Sequence, residues 1–315
     1  MNALNREFLS KIEGKAHFEI FKRKADSSEI LPISGVIKNQ ITDFGYQSIY
    51  GTIANPVGNN SLLPNTTNNN YGAVSYIKIG ASTTPIAPAD TGMSSILYTQ
   101  LYSTSWPASP IVTQETIEGV KYYKAVFWYV FGLGVLDDVT FTQLGLFSGN
   151  NNTSLICGQL TKNEFGTPTA ITILSSEQLM VKYTLYLPST FSVPDPINFN
   201  LSGVDYTASL VRIQDLIDTG GIVRNLAASN NLYVNSSTSI VGTFTVVTTL
   251  FANRIERVIT VPIATLAYTN NISNILFGSS FASAIFRLEF VPVIPKTAYN
   301  SLTFSFRWIL TWREV

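Results

Sequence analysis

The chain has 315 residues, of which 45% are apolar and only 13% are charged, with 20 basic and 20 acidic side chains and a formal net charge of zero. Because this balance gives no positive electrostatic potential to attract polyanions, we predict that neither nucleic acid nor an anionic membrane surface is a partner. No stretch approaches the roughly 20 apolar residues of a membrane-spanning helix, so membrane insertion is not predicted and the apolar surplus is expected in cores and subunit interfaces.

The cysteine content and the N-terminus limit the compartment. Cys157 is the only cysteine, which excludes an intrachain disulfide and a cysteine-rich zinc site. The opening stretch "MNALNREFLSKIEG" carries charges among its apolar residues and has no apolar core of a secretory signal. We therefore expect synthesis in the cytoplasm.

An amphipathic pattern opens the chain. Leu4, Phe8 and Ile12 recur every four residues and a glycine follows, which predicts a short helix over residues 2–13 that acts as an arm. The next stretch, "AHFEIF", places its side chains on alternate faces, as a strand does. We expect residues 1–35 to form an N-terminal arm and the first strand.

Two short motifs follow, separated by a loop. "NQITDFGYQSIYG" spaces its apolar residues as a short helix does. Residues 54–72, rich in Asn, Gly, Pro and Thr, predict a long surface loop. "YIKIGASTTPIAPADTGMSSIL", residues 76–97, then predicts a strand, a rigid bend and a helix that begins at Asp90.

Signals for β-strands dominate from Tyr122 onward. Segments such as "YYKAVFWYVFGLGV" and "AITILSSEQLMVKYTLYL" are β-branched or aromatic and end at Gly, Asn or Pro, and similar segments return after residue 238. One more helix is predicted at "VRIQDLIDTGG", residues 211–221. The sequence therefore predicts a mainly all-β fold with a few short helices.

The strand motifs occur in the same order twice. "FTQLGLF", "SLICGQL" and "LMVKYTLYL" are followed much later by "ISNILFG", "FRLEFVPVI" and "LTFSFRWIL". A stiff Pro-rich stretch, residues 188–196, lies between the two sets. We predict two β-sandwich or jelly-roll-like modules, residues 36–190 and 191–315, and interpret the repeat as a duplication.

Residues for catalysis or metal binding are sparse. His17 is the only histidine, lies in an alternating strand and has no serine or cysteine partner at a motif spacing, so a structural role is favoured. One His and one Cys cannot form a typical zinc or copper set; an all-carboxylate calcium site stays open, but no Asp-x-Asp-x-Asp-Gly loop supports it. We predict no catalytic residue, no cofactor and no metal.

Asp137 and Asp138 are the densest carboxylate pair and the best candidates for a two-acid glycan hydrolase. Adjacent residues of a strand point to opposite faces, and "GVLDDVT" is more typical of a turn whose side chains cap backbone groups. The nearby "GLG" of residues 132–134 lacks the lysine and the following helix of a phosphate loop, and it predicts a bulge or bend. Catalysis is the weaker interpretation here.

Aromatic residues are dense in two strands, "VFWYVF" and the final "LTFSFRWILTW". Alternate positions face opposite ways, so in the first strand the tryptophan points away from its aromatic neighbours. Exposed aromatic rings can stack on sugars, but strands that are apolar on both faces are more often buried against a partner subunit. The predicted interface residues are Leu4, Phe8, Ile12, Trp128, Trp308 and Trp312.

The two short motifs and a later strand together resemble a pattern found in structural proteins of tailed bacteriophages, around the tail, collar and fibre attachment. In that pattern an Asn-Leu-Ile-Thr-Asp-x-Gly helix precedes a strand ending in Gly-x-Gly-Thr-x-x-Pro, an Asp-Thr-x-Leu helix and a Glu-x-Gly-Leu-Phe strand. The matching residues are Ile41, Thr42, Asp43, Gly45, Gly80, Thr83, Thr84, Pro85, Asp90 and Thr91. The resemblance covers roughly residues 35–187, and Ala81, Ser82, Met93 and Gln143 depart from the pattern.

The resemblance implies a virion component, assembled in the host bacterial cytoplasm from copies of this chain and other virion proteins. The bend suits a scaffold, since its threonines can bond local backbone, its prolines lower loop entropy and Asp90 or Thr91 can cap the helix. We expect a non-enzymatic structural subunit of the tail, collar, baseplate or fibre anchor that self-assembles through β-rich surfaces. The open alternatives are an adhesin for a host surface glycan, a capsid decoration protein and a carboxylate-dependent glycan hydrolase.

Overall fold

The computed structural model describes residues 2–50, 75–104, 106–107, 111–163, 165–201, 203–216, 231–235, 245–262, 271–278, 286–295 and 302–312. These residues form 21 strands and one short helix. The chain divides into two compact units. The terminal unit consists of Met1–Ile12, Thr190–Asp218 and Arg224–Val315, and the central unit consists of Glu13–Ser189 and Thr219–Val223.

The elements occur along the chain in the following order. The first part contains β1 (Asn2–Lys11), β2 (Lys15–Lys24), β3 (Ile30–Pro32), β4 (Ile37–Ile41), α1 (Asp43–Tyr50), β5 (Tyr76–Gly80), β6 (Ile96–Leu101), β7 (Ile111–Ile117), β8 (Val120–Val130), β9 (Val139–Phe141), β10 (Gln143–Phe147), β11 (Leu155–Leu160), β12 (Ile171–Ile173) and β13 (Glu177–Pro188). The second part contains β14 (Ile197–Leu201), β15 (Val204–Arg212), β16 (Asn231–Val234), β17 (Thr245–Phe251), β18 (Arg254–Pro262), β19 (Ile272–Gly278), β20 (Phe286–Ile294) and β21 (Leu302–Thr311). The predicted all-β fold with sandwich-like modules is confirmed.

Ten strands of the central unit form one curled sheet. Their order is β6-β5-β10-β11-β4-β2-β13-β8-β7, with β3 paired to β2. Tyr102, just after β6, forms an antiparallel bridge with Tyr129 of β8, and the Ser103 amide donates to the Trp128 carbonyl at 2.6 Å. The first strand of the path therefore meets the eighth, and the sheet encloses a core. A separate two-stranded ladder pairs β12 with β9.

The enclosed core is aromatic and follows the period of two that strands impose. Phe127, Tyr129 and Phe131 are fully buried on one face of β8 and its C-terminal extension. Trp128, on the opposite face, is half-buried, and its ring lies 5.2 Å from the ring of Phe21. The predicted alternation of aromatic residues in this strand is confirmed.

The terminal unit contains two sheets with the orders β1-β21-β18-β17 and β14-β15-β20-β19-β16. The N-terminal strand β1 runs parallel to β21, in a register from Asn2↔Leu302 to Lys11↔Thr311. The two sheets meet where the Trp308 ring of β21 lies 4.8 Å from the Phe286 ring of β20. First and last segments of the chain thus share one sandwich-like core.

The predicted helix over residues 2–13 is wrong, because residues Asn2–Lys11 form a strand. A spacing of four residues fits one face of a helix, but it also fits one face of a strand, whose period is two. Phe8 and Ile12 are buried while Glu7, Leu9 and Lys11 are exposed, which is the strand pattern. Pairing with β21 favours the strand over the helix, and the sequence of residues 2–13 alone carries no information about that pairing.

The other local predictions have mixed outcomes. The helix predicted around residues 41–49 is confirmed as α1. The helix predicted over residues 211–221 is wrong in its described part, since β15 continues to Arg212 and residues 213–216 are not helical. The predicted loop at residues 54–72 lies outside the described residues. In both sets of repeated motifs the first two strands pair antiparallel, as β10 with β11 and β19 with β20.

Candidate functional site

The bend after β5, residues 81–95 and termed the elbow, contains no helix, so the helix predicted to begin at Asp90 is wrong. Its Asp90 carboxylate instead accepts a hydrogen bond from the Ala87 amide at 2.7 Å, and the Asp90 amide donates to the Ala87 carbonyl at 3.1 Å. These bonds close a tight turn. The side chain of Asn152 then hydrogen-bonds to both backbone groups of Met93. Its Oδ1 atom accepts from the Met93 amide at 3.1 Å, and its Nδ2 group donates to the Met93 carbonyl at 2.7 Å. Backbone groups that a helix would use are therefore bonded elsewhere.

Thr42 fixes the start of α1. Its hydroxyl oxygen accepts a hydrogen bond from the Gly45 amide at 2.9 Å, which is the arrangement of a helix N-cap. The same hydroxyl donates to the Leu155 carbonyl at 2.6 Å, and the Thr42 amide donates to the Ile156 carbonyl at 2.8 Å. A Cβ on Gly45 would lie 2.2 Å from the Ile156 oxygen, so only glycine lets the helix lie this close to β11.

The two motif blocks of the resemblance meet at this place. The Asp43 amide of α1 donates to the Pro88 carbonyl of the elbow at 2.8 Å. The Leu155 amide of β11 donates to the Thr91 carbonyl at 2.9 Å. Because the Leu155 carbonyl also accepts a hydrogen bond from the Thr42 hydroxyl, the first residue of β11 is hydrogen-bonded to both motif blocks. Residues from two separate stretches of sequence thus form one hydrogen-bonded assembly.

The elbow packs on the outer face of the curled sheet, above two facing glycines. Gly145 of β10 and Gly158 of β11 are directly paired. Added Cβ atoms would lie 2.2 Å from the Met93 sulfur and 2.2 Å from the Ile86 Cδ1 atom, respectively. The elbow side chains therefore fill the space that the glycines leave. A small core of Ile86, Met93, Phe147 and Leu155 results.

Polar side chains attach the first half of the elbow to the sheet. Gln143 donates through Nε2 to the Thr84 carbonyl at 2.8 Å, and Thr142 donates to the Ser82 carbonyl at 2.7 Å. The side chains of Thr83 and Pro85, also part of the resemblance, are exposed. The glutamine that departs from the family pattern thus still supplies a backbone contact.

Lys78 is a site residue that sequence reasoning missed. It lies on the same outer face, is 2% exposed, and donates through Nζ to the carbonyls of Asn150 and Asn151 at 2.9 and 2.8 Å. Its ammonium group also lies 4.5 Å from the centre of the Phe147 ring. Burial lowers the pKa of Lys78. These contacts tie the loop after β10 to the sheet, and only the alternation of "YIKIG" hints that this lysine faces away from the enclosed core.

Four of the predicted interface residues are covered by their own chain, which corrects their interpretation. Phe8, Ile12, Trp308 and Trp312 are buried within the terminal unit. The Trp308 indole donates to the Ser10 hydroxyl at 3.0 Å, and its ring also contacts the ring of Phe191 at 5.4 Å. The second sheet of the same chain supplies the apolar partner that the sequence interpretation assigned to another subunit.

The remaining two predicted interface residues differ in status. Trp128 is half-buried on the outer face of the curled sheet. The side chain of Leu4 lies outside the described residues. Of the predicted group, only Trp128 is seen to retain partial exposure.

The titratable candidates lie apart from the elbow. Asp137 and Asp138 are exposed in the turn between β8 and β9, as the turn interpretation predicts. His17 is half-buried with its ring 6.1 Å from Tyr186, and burial, together with nearby lysines, lowers its pKa although Glu19 opposes the shift. Burial also raises the pKa of Cys157 to about 12, so this thiol stays protonated.

The described part of the chain includes no group of three or more His, Cys, Asp or Glu side chains placed to hold a metal ion. Among the same residues, no helix has the length and apolar character needed to cross a membrane.

Comparison with known proteins gives no relative: no family model, no curated protein and no solved structure matches this chain. Polar side chains in and around the elbow bond mainly to backbone groups, and its apolar side chains fill the space above the two paired glycines. These contacts hold the shape of the elbow.

Proposed function

We propose that this chain is a non-enzymatic structural subunit of a bacteriophage virion, from the tail, collar, baseplate or fibre-attachment region, that assembles with copies of itself. One observation carries the proposal. The two sequence blocks that resemble phage structural proteins meet at the elbow, where the Asp43 amide bonds the Pro88 carbonyl at 2.8 Å. A shared pattern that converges on one packed assembly supports a common scaffold rather than a chance match of short motifs.

The elbow has the properties that a repeated subunit under mechanical load requires. Its apolar side chains fit against paired glycines with no room for an added Cβ atom, and close packing of this kind transmits force without rearrangement. Identical subunits around a symmetry axis need identical local geometry, which a connection fixed at both ends provides.

The loop between β11 and β12 is the best candidate for a contact between copies. Phe165 at its tip is 82% exposed, although a phenylalanine gains much from burial. Asn163 fixes the loop, because its Oδ1 atom accepts from the Phe165 and Thr167 amides, both at 3.0 Å. Residues 165–170 are all exposed and uncharged. A rigid aromatic anchor beside exposed uncharged residues is typical of contact sites between proteins.

Light scattering of the purified full chain over a range of concentrations tests this proposal. We expect a discrete oligomer for the wild type and dissociation toward the monomer for Phe165→Ser. Val36→Ser is the matched control, because Val36 is also a large exposed apolar residue, at 60%, but lies outside the loop. It should leave the mass unchanged.

A wild-type chain that stays monomeric at every concentration would contradict self-assembly. An oligomer that both variants weaken equally would contradict the role of Phe165 alone. Immunogold labelling of purified phage particles with antibodies against the chain tests the virion assignment separately, and the absence of label on any particle would oppose it.

A further inference from the structure

The hairpin of β14 and β15 has an open concavity of about 500 Å³ on the terminal unit. Its lining residues are Asn198, Phe199, Asn200, Asp205, Tyr206 and Thr207. Polar and aromatic side chains alternate along both strands, so the amides, the carboxylate and the hydroxyl lie on the outer face while the rings are buried. Among the described residues that line this polar surface there is neither Lys nor Arg.

One cross-strand pair orients an acceptor and a donor side by side. Asn200 donates through Nδ2 to Oδ1 of Asp205 at 2.7 Å, and its own Oδ1 accepts from the Gly203 amide at 3.0 Å. Both bonds fix which way the amide faces. The second N–H of Asn200 and the Oδ2 atom of Asp205 are then adjacent, and each can make a further bond.

A second pair repeats this arrangement one row along the hairpin. Thr207 donates through its hydroxyl to Oδ1 of Asn198 at 2.8 Å. Two N–H groups of the Asn198 amide are then directed outward as donors. Same-face rows of a strand are roughly 7 Å apart, so the two pairs span about the width of one sugar ring with its hydroxyls.

An apolar edge accompanies the polar rows. Val291 of β20 pairs in register with Thr207 and is 68% exposed. Residues directly opposite on neighbouring strands share a face. Beneath the polar rows, the rings of Phe199 and Tyr206 are stacked at 5.5 Å, which supports the hairpin from its buried side. Sugars have this same combination of hydroxyl edges and C–H faces.

We propose that this hairpin binds a neutral saccharide. The Asp205 Oδ2 atom accepts from one sugar hydroxyl, Asn200 donates to its neighbour, Asn198 donates to a hydroxyl in the next row, and Val291 contacts a C–H face. A lining without cations disfavours acidic glycans. The Oδ1 atoms of Asn198, Asn200 and Asp205 already accept hydrogen bonds, which disfavours a metal ion. This inference is independent of self-assembly.

An array of printed glycans tests the proposal with the labelled full chain. It should carry neutral oligosaccharides of glucose, galactose, mannose and N-acetylglucosamine beside sialylated and sulfated ones. We expect binding to at least one neutral glycan, whose dissociation constant is then measured by calorimetry. Asp205→Asn, which keeps the shape and the bond to Asn200 but removes the acceptor, should weaken binding at least tenfold, as should Asn198→Ala.

Thr172→Ala is the matched control. Thr172 forms an exposed cross-strand pair with Thr140, with 2.8 Å between the hydroxyl oxygens, on the separate ladder of the central unit. Its removal should change the dissociation constant less than twofold, and thermal melting verifies that every variant is folded. Binding to no neutral glycan, binding to acidic glycans alone, or unchanged affinity in both hairpin variants would overturn the proposal.

Discussion

At the scale of single residues, two facing glycines explain how an irregular loop becomes part of the core. Glycine weakens a strand unless another group needs the space. Gly145 and Gly158 make a flat spot on the outer face of the sheet, and Met93 and Ile86 occupy it. The elbow is therefore held by shape as well as by hydrogen bonds.

Gly145→Ala should destabilise the protein by about 1–3 kcal/mol, the usual cost of overpacking a core. The new Cβ would lie 2.2 Å from the Met93 sulfur, so one of the two groups must move. Met93→Ala should cost about 2–5 kcal/mol alone, because it leaves a cavity. The double variant should lose less stability than the sum of the two single losses, because the new alanine side chain at position 145 fills part of the cavity that Met93→Ala leaves. Denaturant unfolding measures all three.

Gly149→Ala is the control for this cycle, because a Cβ there would meet its nearest neighbour at an ordinary 3.6 Å. It should change the free energy of unfolding little. Strictly additive costs for Gly145→Ala and Met93→Ala would show that the two side chains do not compete for the same space.

The residues that contact the elbow and α1 differ in how far the sequence could predict their roles. Thr42 follows a local capping pattern, and the confirmed helix begins beside it. The role of Asn152 was missed, because its contacts with Met93 join residues 59 positions apart. The same limit applies to Gly145, whose neighbour across the ladder depends on strand register. Local chemistry was predictable here, and the partners that complete it were not.

At the scale of elements, the N-terminal strand shows how a partner decides between two periodicities. Side chains four apart share a face in both a helix and a strand. Only the residues between them distinguish the cases: in the strand Phe8 is 2% exposed and Leu9 is 44% exposed. The ladder with β21 makes β1 part of the terminal unit.

Phe8→Ala should lower the free energy of unfolding of the terminal unit by about 3–5 kcal/mol, the usual cost of truncating a buried phenylalanine. Leu9→Ala, one position along, should cost less than about 1 kcal/mol, because surface substitutions have small effects. Denaturant unfolding of both variants compares two adjacent apolar residues. Equal losses would contradict the strand and its buried face.

An ion-pair network crosses the same sheet and should make its stability depend on pH. Burial of Glu256 favours the protonated form, but hydrogen bonds from Arg307 at 2.6 Å and Arg254 at 2.7 Å outweigh it and lower the pKa below its ordinary value of 4.5. The unfolded chain then binds the proton more readily than the folded chain. The stabilisation is therefore complete above about pH 4.5 and is lost as the pH falls through the lower folded pKa.

Glu256→Gln should flatten this dependence, because glutamine has no proton to gain below pH 4.5. At neutral pH the variant should be less stable than the wild type, and the difference should shrink as the solution is acidified. Thermal melting at several pH values measures this. Glu115→Gln is the control, since its pair with Lys124 is partly exposed and should leave the slope intact. An unchanged slope in Glu256→Gln would show that Glu256 does not govern the acid loss.

At the scale of the whole molecule, composition predicted the class of fold and little of its connectivity. Alternating and aromatic strands, with few charges to solvate, favour packed sheets, and the all-β class follows. The parallel pairing of β1 with β21 joins residues 300 positions apart, such as Glu7 and Arg307. Such pairings result from competition among all strands of the chain. A local sequence pattern therefore cannot predict them. The first and last strands of the chain share a sheet, and a pairing over this distance leaves no signal in either segment alone.

The proposed assembly should be insensitive to salt. The chain has as many acidic as basic side chains, so no net charge drives or opposes the association of copies. The anchor proposed for contact between copies, Phe165, is uncharged. Raising the ionic strength from about 0.1 M to about 1 M shortens the screening length from about 10 Å to about 3 Å, which weakens exposed charge pairs but not apolar contacts.

Light scattering at both salt concentrations should therefore give the same oligomer mass. The charge-paired alternative makes the opposite prediction, because an interface of exposed Lys, Arg, Asp and Glu dissociates as screening increases. Dissociation at high salt would place the contact on the charged parts of the surface and would remove Phe165 as the anchor. Retention of the oligomer at high salt, combined with its loss in Phe165→Ser, would assign the contact to Phe165, because a desolvated aromatic anchor responds to truncation and not to screening.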